Sequence, residues 1–205
     1  MAFNVQNFAD NLAAFGNIQT NKFDVRIPLP PTLRGTEGII NSELFSFRAD
    51  RVDLPGVLFD SVDTKRYGVG PMIKTPSNKS RFNEISISFI ETRRGEIYTT
   101  FNDWLQSIVD FAGSAGLVSR APSFLTGYKR DYAVDMQIRV FNNSGTRGSA
   151  GPNTELQPII ELNVVDAYPI SLGDTNLSWS NNNELFRTTV VFAYTYHQLV
   201  TGTSV

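Results

Sequence analysis

The sequence contains no cysteine and only one histidine, His197, among its 205 residues. Without cysteine there is no disulfide, no thiolate metal site and no cysteine nucleophile. One histidine alone cannot supply the usual zinc ligands, and no Gly-x-Ser-x-Gly sequence indicates a serine hydrolase. We therefore expect no metal site, and we interpret His197 as a surface residue near the end of a strand.

Long apolar runs and a strong charge of either sign are also missing. No run approaches the roughly 18–20 residues that cross a bilayer, and the N-terminus lacks the basic and apolar regions of a secretory signal. The net charge is −2, and the densest basic groupings, such as Lys65-Arg66, are only pairs. These features predict no membrane span and no specific binding to nucleic acid.

Carboxylates are the remaining candidates for catalysis, because the chain has 20 acidic residues. Glu84, Glu91, Asp103 and Asp110 could in principle form an acid–base pair for glycoside hydrolysis. They fall, however, on polar positions of a predicted strand and a predicted helix, where solvated acids are ordinary. The sequence therefore predicts neither an enzyme nor a cofactor site.

Alternation of apolar and polar residues predicts most of the secondary structure. Strands are expected around Phe23–Ile27, Phe45–Ala49, Val57–Val62, Ile85–Phe89, Val134–Val140, Ile160–Val164 and Leu185–His197. One helix is expected between Gly95 and Gly113, with apolar residues at helical spacing from Ile97 to Ala112. The expected fold is mainly β: an antiparallel β-sandwich or barrel with one flanking α-helix.

The chain length favours a single domain over residues 1–205, with three elaborations. Val5, Phe8, Leu12 and Phe15 lie on one helical face, which predicts an N-terminal helical arm over residues 1–20. The density of glycine and proline predicts an extended hairpin arm over 54–76, and a Gly-, Ser- and Asn-rich stretch predicts a flexible hairpin loop over 142–158. The pair of glycines flanking Val69 precedes a proline rather than a helix, so it is not a phosphate-binding loop.

An ordered set of motifs runs through most of the chain and is concentrated in its C-terminal third. It resembles the tail-tube proteins of T4-like contractile phages, a family related to type VI secretion tube proteins and including baseplate tube-initiators. In that family a strand runs into a proline-containing bend, then a Trp/Asn-rich turn, then a strand ending in alternating aromatics. The matching segments are Leu54-Pro-Gly56, Phe101-Asn-Asp-Trp104, Tyr128-Lys129, Val165-Asp-Ala-Tyr-Pro-Ile-Ser-Leu172, Leu177-Ser-Trp-Ser-Asn-Asn-Asn-Glu-Leu185 and Val190-Val-Phe-Ala-Tyr-Thr-Tyr196.

The resemblance implies a structural virion protein that forms homohexameric rings stacked into the inner tube of a contractile tail. It implies contacts with tail sheath, baseplate and tape-measure proteins, transient passage of DNA without specific binding, and assembly in the host cytoplasm. No cofactor is implied. The arm and the N-terminal helix fit a compact core poorly, so we expect ring stacking to use Phe8, Leu12, Leu54, Pro55, Gly56, Tyr67, Gly68, Gly70 and Pro71.

Three alternatives remain open from the sequence. A carboxylate-based hydrolase would need two acidic side chains that converge in a cleft. A baseplate tube-initiator would share the motifs but contact different neighbours. A carbohydrate-binding β-sandwich would need Trp104 or Trp179 exposed as a stacking platform, although packing against the sandwich is the favoured interpretation for both tryptophans.

Overall fold

A computed structural model of the chain describes residues 20–34, 42–65, 72–111, 124–141, 158–175, 177–179 and 184–201. The strands are β1 (Phe23–Arg26), β2 (Ala49–Val52), β3 (Val57–Thr64), β4 (Ile73–Phe82), β5 (Ile85–Ile90), β6 (Val134–Phe141), β7 (Pro158–Leu172), β8 (Arg187–Ala193) and β9 (Tyr196–Thr201). The helices are α1 (Ser42–Arg48), α2 (Glu96–Ile108) and α3 (Lys129–Tyr132), and a 3₁₀ turn covers Pro31–Leu33.

Seven strands form one antiparallel sheet that folds into two layers, and β7 is shared between them. The order is β1-β6-β7-β8-β5-β2, with β9 added on β7. The first half of β7 pairs with β6 and β9, whereas Tyr168–Leu172 pairs with β8. The strands β3 and β4 form a separate two-stranded sheet. The predicted mainly β, antiparallel sandwich with a flanking helix is thus confirmed.

The core lies between the layers and follows the predicted alternation. In β5, Ile85, Ile87 and Phe89 are fully buried, while the serines between them are only half-buried. Opposite them, Val190 and Phe192 of β8 are also fully buried. Each strand therefore places every second side chain in one shared apolar core, which is the main favourable term in folding.

Helix α2 closes this core with a cluster of aromatic rings. The ring of Phe101 lies 5.1 Å from that of Phe45, 5.3 Å from that of Phe89 and 5.8 Å from that of Phe192, measured between centroids. Trp104 is fully buried, and its indole nitrogen donates a 2.9 Å hydrogen bond to the carbonyl oxygen of Tyr132. The prediction that Trp104 packs against the sandwich is therefore confirmed.

The start of α2 is fixed by Glu91, which is half-buried. Its carboxylate accepts hydrogen bonds from the amides of Ile97 (2.9 Å) and Tyr98 (3.0 Å), and from the Thr188 hydroxyl (3.0 Å). A negative charge at a helix N-terminus satisfies free amides and favours the helix dipole. The interpretation of Glu91 as a solvated acid is therefore wrong, because it ties α2 to β8.

The predicted strand Phe45–Ala49 is wrong over most of its length, because Phe45–Arg48 form the second half of α1 and only Ala49 lies in a strand, β2. A strand would place Phe45 and Phe47 on the same face, but Phe45 is fully buried and Phe47 is 80% exposed. A helix explains the difference, because residues two apart point in nearly opposite directions. Two phenylalanines two residues apart fit a short strand, but they also occur in a short helix, so the sequence pattern alone does not distinguish the two.

The predicted long strand from Leu185 to His197 is in fact two strands, β8 and β9. The chain leaves β8 at Tyr194 and Thr195, where the Thr195 amide donates a 3.0 Å hydrogen bond to the Val165 carbonyl. There β8 pairs with the second half of β7, and β9 pairs with its first half. The break is needed because the two halves belong to different layers.

We expect Phe101→Ala to lower the free energy of unfolding by about 3–5 kcal/mol, because it leaves a cavity among four aromatic rings. Urea unfolding followed by circular dichroism measures the change. Tyr98→Ala, at an exposed position of the same helix, should cost less than about 1 kcal/mol. Equal losses for the two variants would contradict the assigned core.

Candidate assembly surface

The β3–β4 hairpin is the most unusual surface among the described residues, because it is almost entirely exposed and carries several apolar side chains. Its strands pair with each other and with no other described strand. A two-stranded hairpin alone is marginally stable in water. Six of its apolar side chains are at least 44% exposed: Val57, Leu58, Phe59, Val62, Met72 and Ile73. Exposed apolar surface of this extent marks an interaction site.

The hairpin is attached to the sandwich through Phe82 at the end of β4. The Phe82 ring lies 5.4 Å from the His197 ring and 6.0 Å from the Tyr194 ring. Partial burial raises the pKa of the Tyr194 hydroxyl. His197 lies near the start of β9, as predicted, and it is half-buried because it packs against Phe82.

Polar contacts within the hairpin hold its two strands in register. Arg81 forms a 3.1 Å ion pair with Asp60, and the hydroxyls of Thr64 and Thr75 lie 3.0 Å apart. Both contacts are exposed, so each stabilises the hairpin only weakly. The register is therefore defined, while the broad faces of the hairpin remain uncovered.

The residues predicted for ring stacking fall partly on the link into this hairpin. Leu54 and Gly56 are exposed and Pro55 is half-buried between β2 and β3. A Cβ atom on Gly56 would meet no atom within 4 Å, so the packing of the single chain does not require glycine there. The other residues predicted for this role, Phe8, Leu12, Tyr67, Gly68, Gly70 and Pro71, lie outside the described residues.

Sequence reasoning missed the apolar strands of the hairpin as site residues. The run Val57-Leu-Phe59 places apolar side chains on both faces of β3, unlike the alternation of a half-buried strand. The signal was therefore present in the sequence. It could not distinguish a strand buried in the core from a strand that lies uncovered on a single chain.

An open cavity of about 830 Å³ lies beside α1, β1 and β6. Three aromatic side chains line it, Phe23, Phe47 and Phe141, together with the acidic side chains of Glu43 and Asp135. Phe47 is the most exposed of the aromatic walls, at 80%. The cavity therefore combines apolar walls with negative charge.

Beside this cavity Asp24 forms the most buried ion pair of the described residues. Its carboxylate accepts hydrogen bonds from the Ser46 hydroxyl and the Arg139 guanidinium, and Arg26 lies 3.5 Å away. Burial raises the pKa of Asp24, but the hydrogen bonds from Ser46 and Arg139 and the charges of both arginines outweigh it, so the pKa lies below its ordinary value. The network joins α1 to β1 and β6.

Chemistry of other kinds finds little support in the described part of the chain. In that part, no three histidine or acidic side chains lie together in a way that could hold a metal ion. None of the described helices is long and apolar enough to span a membrane. Trp179 is fully exposed, so its packing interpretation is wrong, whereas Trp104 is buried.

An uncovered apolar hairpin on an otherwise well-packed sandwich is typical of a structural protein that assembles with neighbours. A family model for phage tail tube proteins matches residues 18–200, and the chain therefore belongs to the phage tail tube protein family. No curated protein sequence matches it significantly.

Solved structures of contractile injection systems share the fold. A chain of the extended sheath–tube complex of an extracellular contractile injection system has a TM-score of 0.54 and 16% identity, covering 98% of this chain and 100% of that one. A chain of the anti-feeding prophage baseplate has a TM-score of 0.56 and 10% identity, covering 91% and 97%. A chain of the tube-terminating cap of that prophage has a TM-score of 0.54 and 16% identity, covering 91% and 92%. At these identities the likeness shows the fold alone.

We expect Asp24→Asn to destabilise the protein by about 3 kcal/mol at pH 7, because Arg139 is left without its charged partner. The lowered pKa means that the contribution of Asp24 is fully present above its ordinary value of 3.8 and is lost as the pH falls through the folded-state pKa. The unfolding free energy of the wild type should therefore fall more steeply below pH 4 than that of the variant.

The matched control is Asp53→Asn, which removes an ion pair with Arg51. The Asp53 side chain is 53% exposed and the Arg51 side chain is 73% exposed. This exposed pair should contribute less than about 1 kcal/mol. Similar losses for Asp24→Asn and Asp53→Asn would contradict the buried network.

Proposed function

We propose that this chain is the repeated subunit of the inner tube of a contractile phage tail, in which six copies form a ring and rings stack into a hollow tube. Family membership supports the tube role. The observation that carries the assembly proposal is the exposed apolar hairpin β3–β4, which needs a partner to cover it.

Contacts within a ring are proposed to use the free sheet edges. Within the described residues, β1, β2 and β9 each pair with a strand on one side only. An unpaired strand edge is a template for pairing with another chain, and closure of a ring satisfies such edges without leaving new ones. The free edges therefore support a closed ring.

Contacts between rings are proposed to use the hairpin and the link that leads into it. Leu54, Pro55 and Gly56 lie at the base of the hairpin, and Leu54 is 51% exposed. Burial of apolar side chains against the next ring would stabilise both the hairpin and the stack. The predicted residues outside the described ranges, including Phe8, Leu12, Tyr67, Gly68, Gly70 and Pro71, are proposed to extend the same contact.

The assembled tube is proposed to lie in the virion tail, inside a sheath, with a baseplate and a tape-measure protein as further partners. Assembly would take place in the host cytoplasm. DNA is proposed to pass through the lumen without specific binding. The net charge of −2 supports this, because a conduit should not attract the phosphate backbone strongly.

A baseplate tube-initiator is the second candidate, and its support is the likeness to a chain of a baseplate structure. The two roles differ in self-assembly, since an initiator is organised by other baseplate proteins. A carbohydrate-binding module is supported only by the exposure of Trp179, because Trp104 is buried.

Purified protein should form hollow tubes or six-fold rings as its concentration rises, seen by negative-stain electron microscopy and size-exclusion chromatography. A monomer at every concentration would contradict the role of repeated tube subunit and favour the initiator. A ring with another symmetry would contradict the hexamer.

The variant Phe59→Asp tests the role of the hairpin. Phe59 is 63% exposed, so the charge should leave the folded monomer within about 0.5 kcal/mol of wild type and still abolish the tubes. Thr99→Asp adds the same charge at an exposed position of α2 and should assemble normally. Tubes of normal length from Phe59→Asp would contradict an assembly role for the hairpin.

A further inference from the structure

The hairpin β3–β4 and the cavity beside α1 are complementary in both apolarity and charge. We propose that the cavity of one copy receives side chains of the β3–β4 hairpin of a neighbouring copy. This inference rests on the proposed self-assembly and identifies the surface that the hairpin contacts.

The hairpin carries a net positive charge. Its strand β4 contains Lys74, Lys79 and Arg81, whereas β3 contains only two acidic residues. Arg81 pairs with Asp60, and Lys74 is aligned with Asp63. Lys79 lies in the bulge, outside the aligned cross-strand pairs, so its positive charge is not matched by an acidic residue aligned with it.

The cavity carries a net negative charge at its lining. Glu43 of α1 and Asp135 of β6 line it with Asp24, and Arg26 is the basic residue among the lining side chains. The charge of Asp24 is already balanced by its buried contact with Arg139. The two remaining carboxylates outnumber Arg26, so an incoming ammonium group is favoured by the local charge.

The apolar parts also correspond. The cavity presents the aromatic walls of Phe23, Phe47 and Phe141, and one face of β3 presents Val57 and Phe59, which are 44% and 63% exposed. Its volume of about 830 Å³ lies in the range of roughly 300–1,000 Å³ that encloses small ligands, so it can accept several side chains but not the whole hairpin. Aromatic faces also attract an ammonium group such as that of Lys79.

The partner is a second copy in this proposal, because none of the described residues of the single chain covers either surface. The hairpin side chains are exposed and Phe47 is 80% exposed in the same molecule, so the hairpin does not cover the cavity of its own chain. A contact between copies buries both, and it repeats at every subunit of a closed ring or a stack.

A charge-exchange experiment tests the contact directly. Lys79→Glu and Glu43→Lys should each raise the protein concentration needed for tube formation about tenfold at low salt, because each places like charges across the contact. The double variant should return to within about threefold of wild type. In 0.5 M salt the effects of both single variants should shrink, since exposed charges are screened.

Two controls make the same changes in charge elsewhere on the surface. Arg93→Glu and Asp103→Lys are at exposed positions in the turn before α2 and on α2, and both should assemble like wild type. If the single variants assemble like wild type, or if the double variant is no better than the worse single variant, the inference is overturned while tube assembly stands. If the wild type forms no tubes, both the inference and the proposed function are contradicted.

Discussion

The strand β7 hydrogen-bonds to one layer of the sandwich along its first half and to the other along its second half, so the placement of both layers depends on it. At the junction Asp166 has a φ of 56°. The Asp166 carboxylate forms a 2.9 Å ion pair with Lys129 and accepts a 3.1 Å hydrogen bond from the Thr195 hydroxyl. The Asp166 amide donates a hydrogen bond to the Asp135 carboxylate. The hydrogen bond from Lys129 is the largest influence on the pKa of Asp166 and lowers it. These contacts fix the point where the chain passes from β8 to β9.

The same junction determines how the hairpin is attached. Tyr194 and His197 lie on either side of the passage from β8 to β9, and together they form the platform for Phe82. The sandwich therefore fixes only the base of the hairpin, while Phe59 and Val62 further along it remain exposed. A single chain is thus well packed in its core, while the apolar side chains of its hairpin remain exposed.

The sequence predicts the sandwich well wherever one strand face is buried, because alternation in β5, β6 and β8 directly records which side chains enter the core. The sequence pattern does not predict the structure where tertiary contacts determine whether a segment forms a helix or a strand. Phe45 and Phe47 alternate like a strand, yet α1 forms because only Phe45 reaches the aromatic cluster. The apolar residues on both faces of β3 predict burial without identifying the partner. The cavity combines residues of α1, β1 and β6 that lie far apart in sequence, so no local pattern could reveal it.

We propose that contact with other copies covers and orders the β3–β4 hairpin. Hydrogen–deuterium exchange with mass spectrometry, below and above the concentration at which tubes form, tests it most directly. We expect fast exchange of the amides in residues 57–64 and 73–82 before assembly, and at least about tenfold slower exchange in tubes. The amides of β5 and β8 should be protected in both states. Equal protection of the hairpin before and after assembly would show that contact with other copies does not order it.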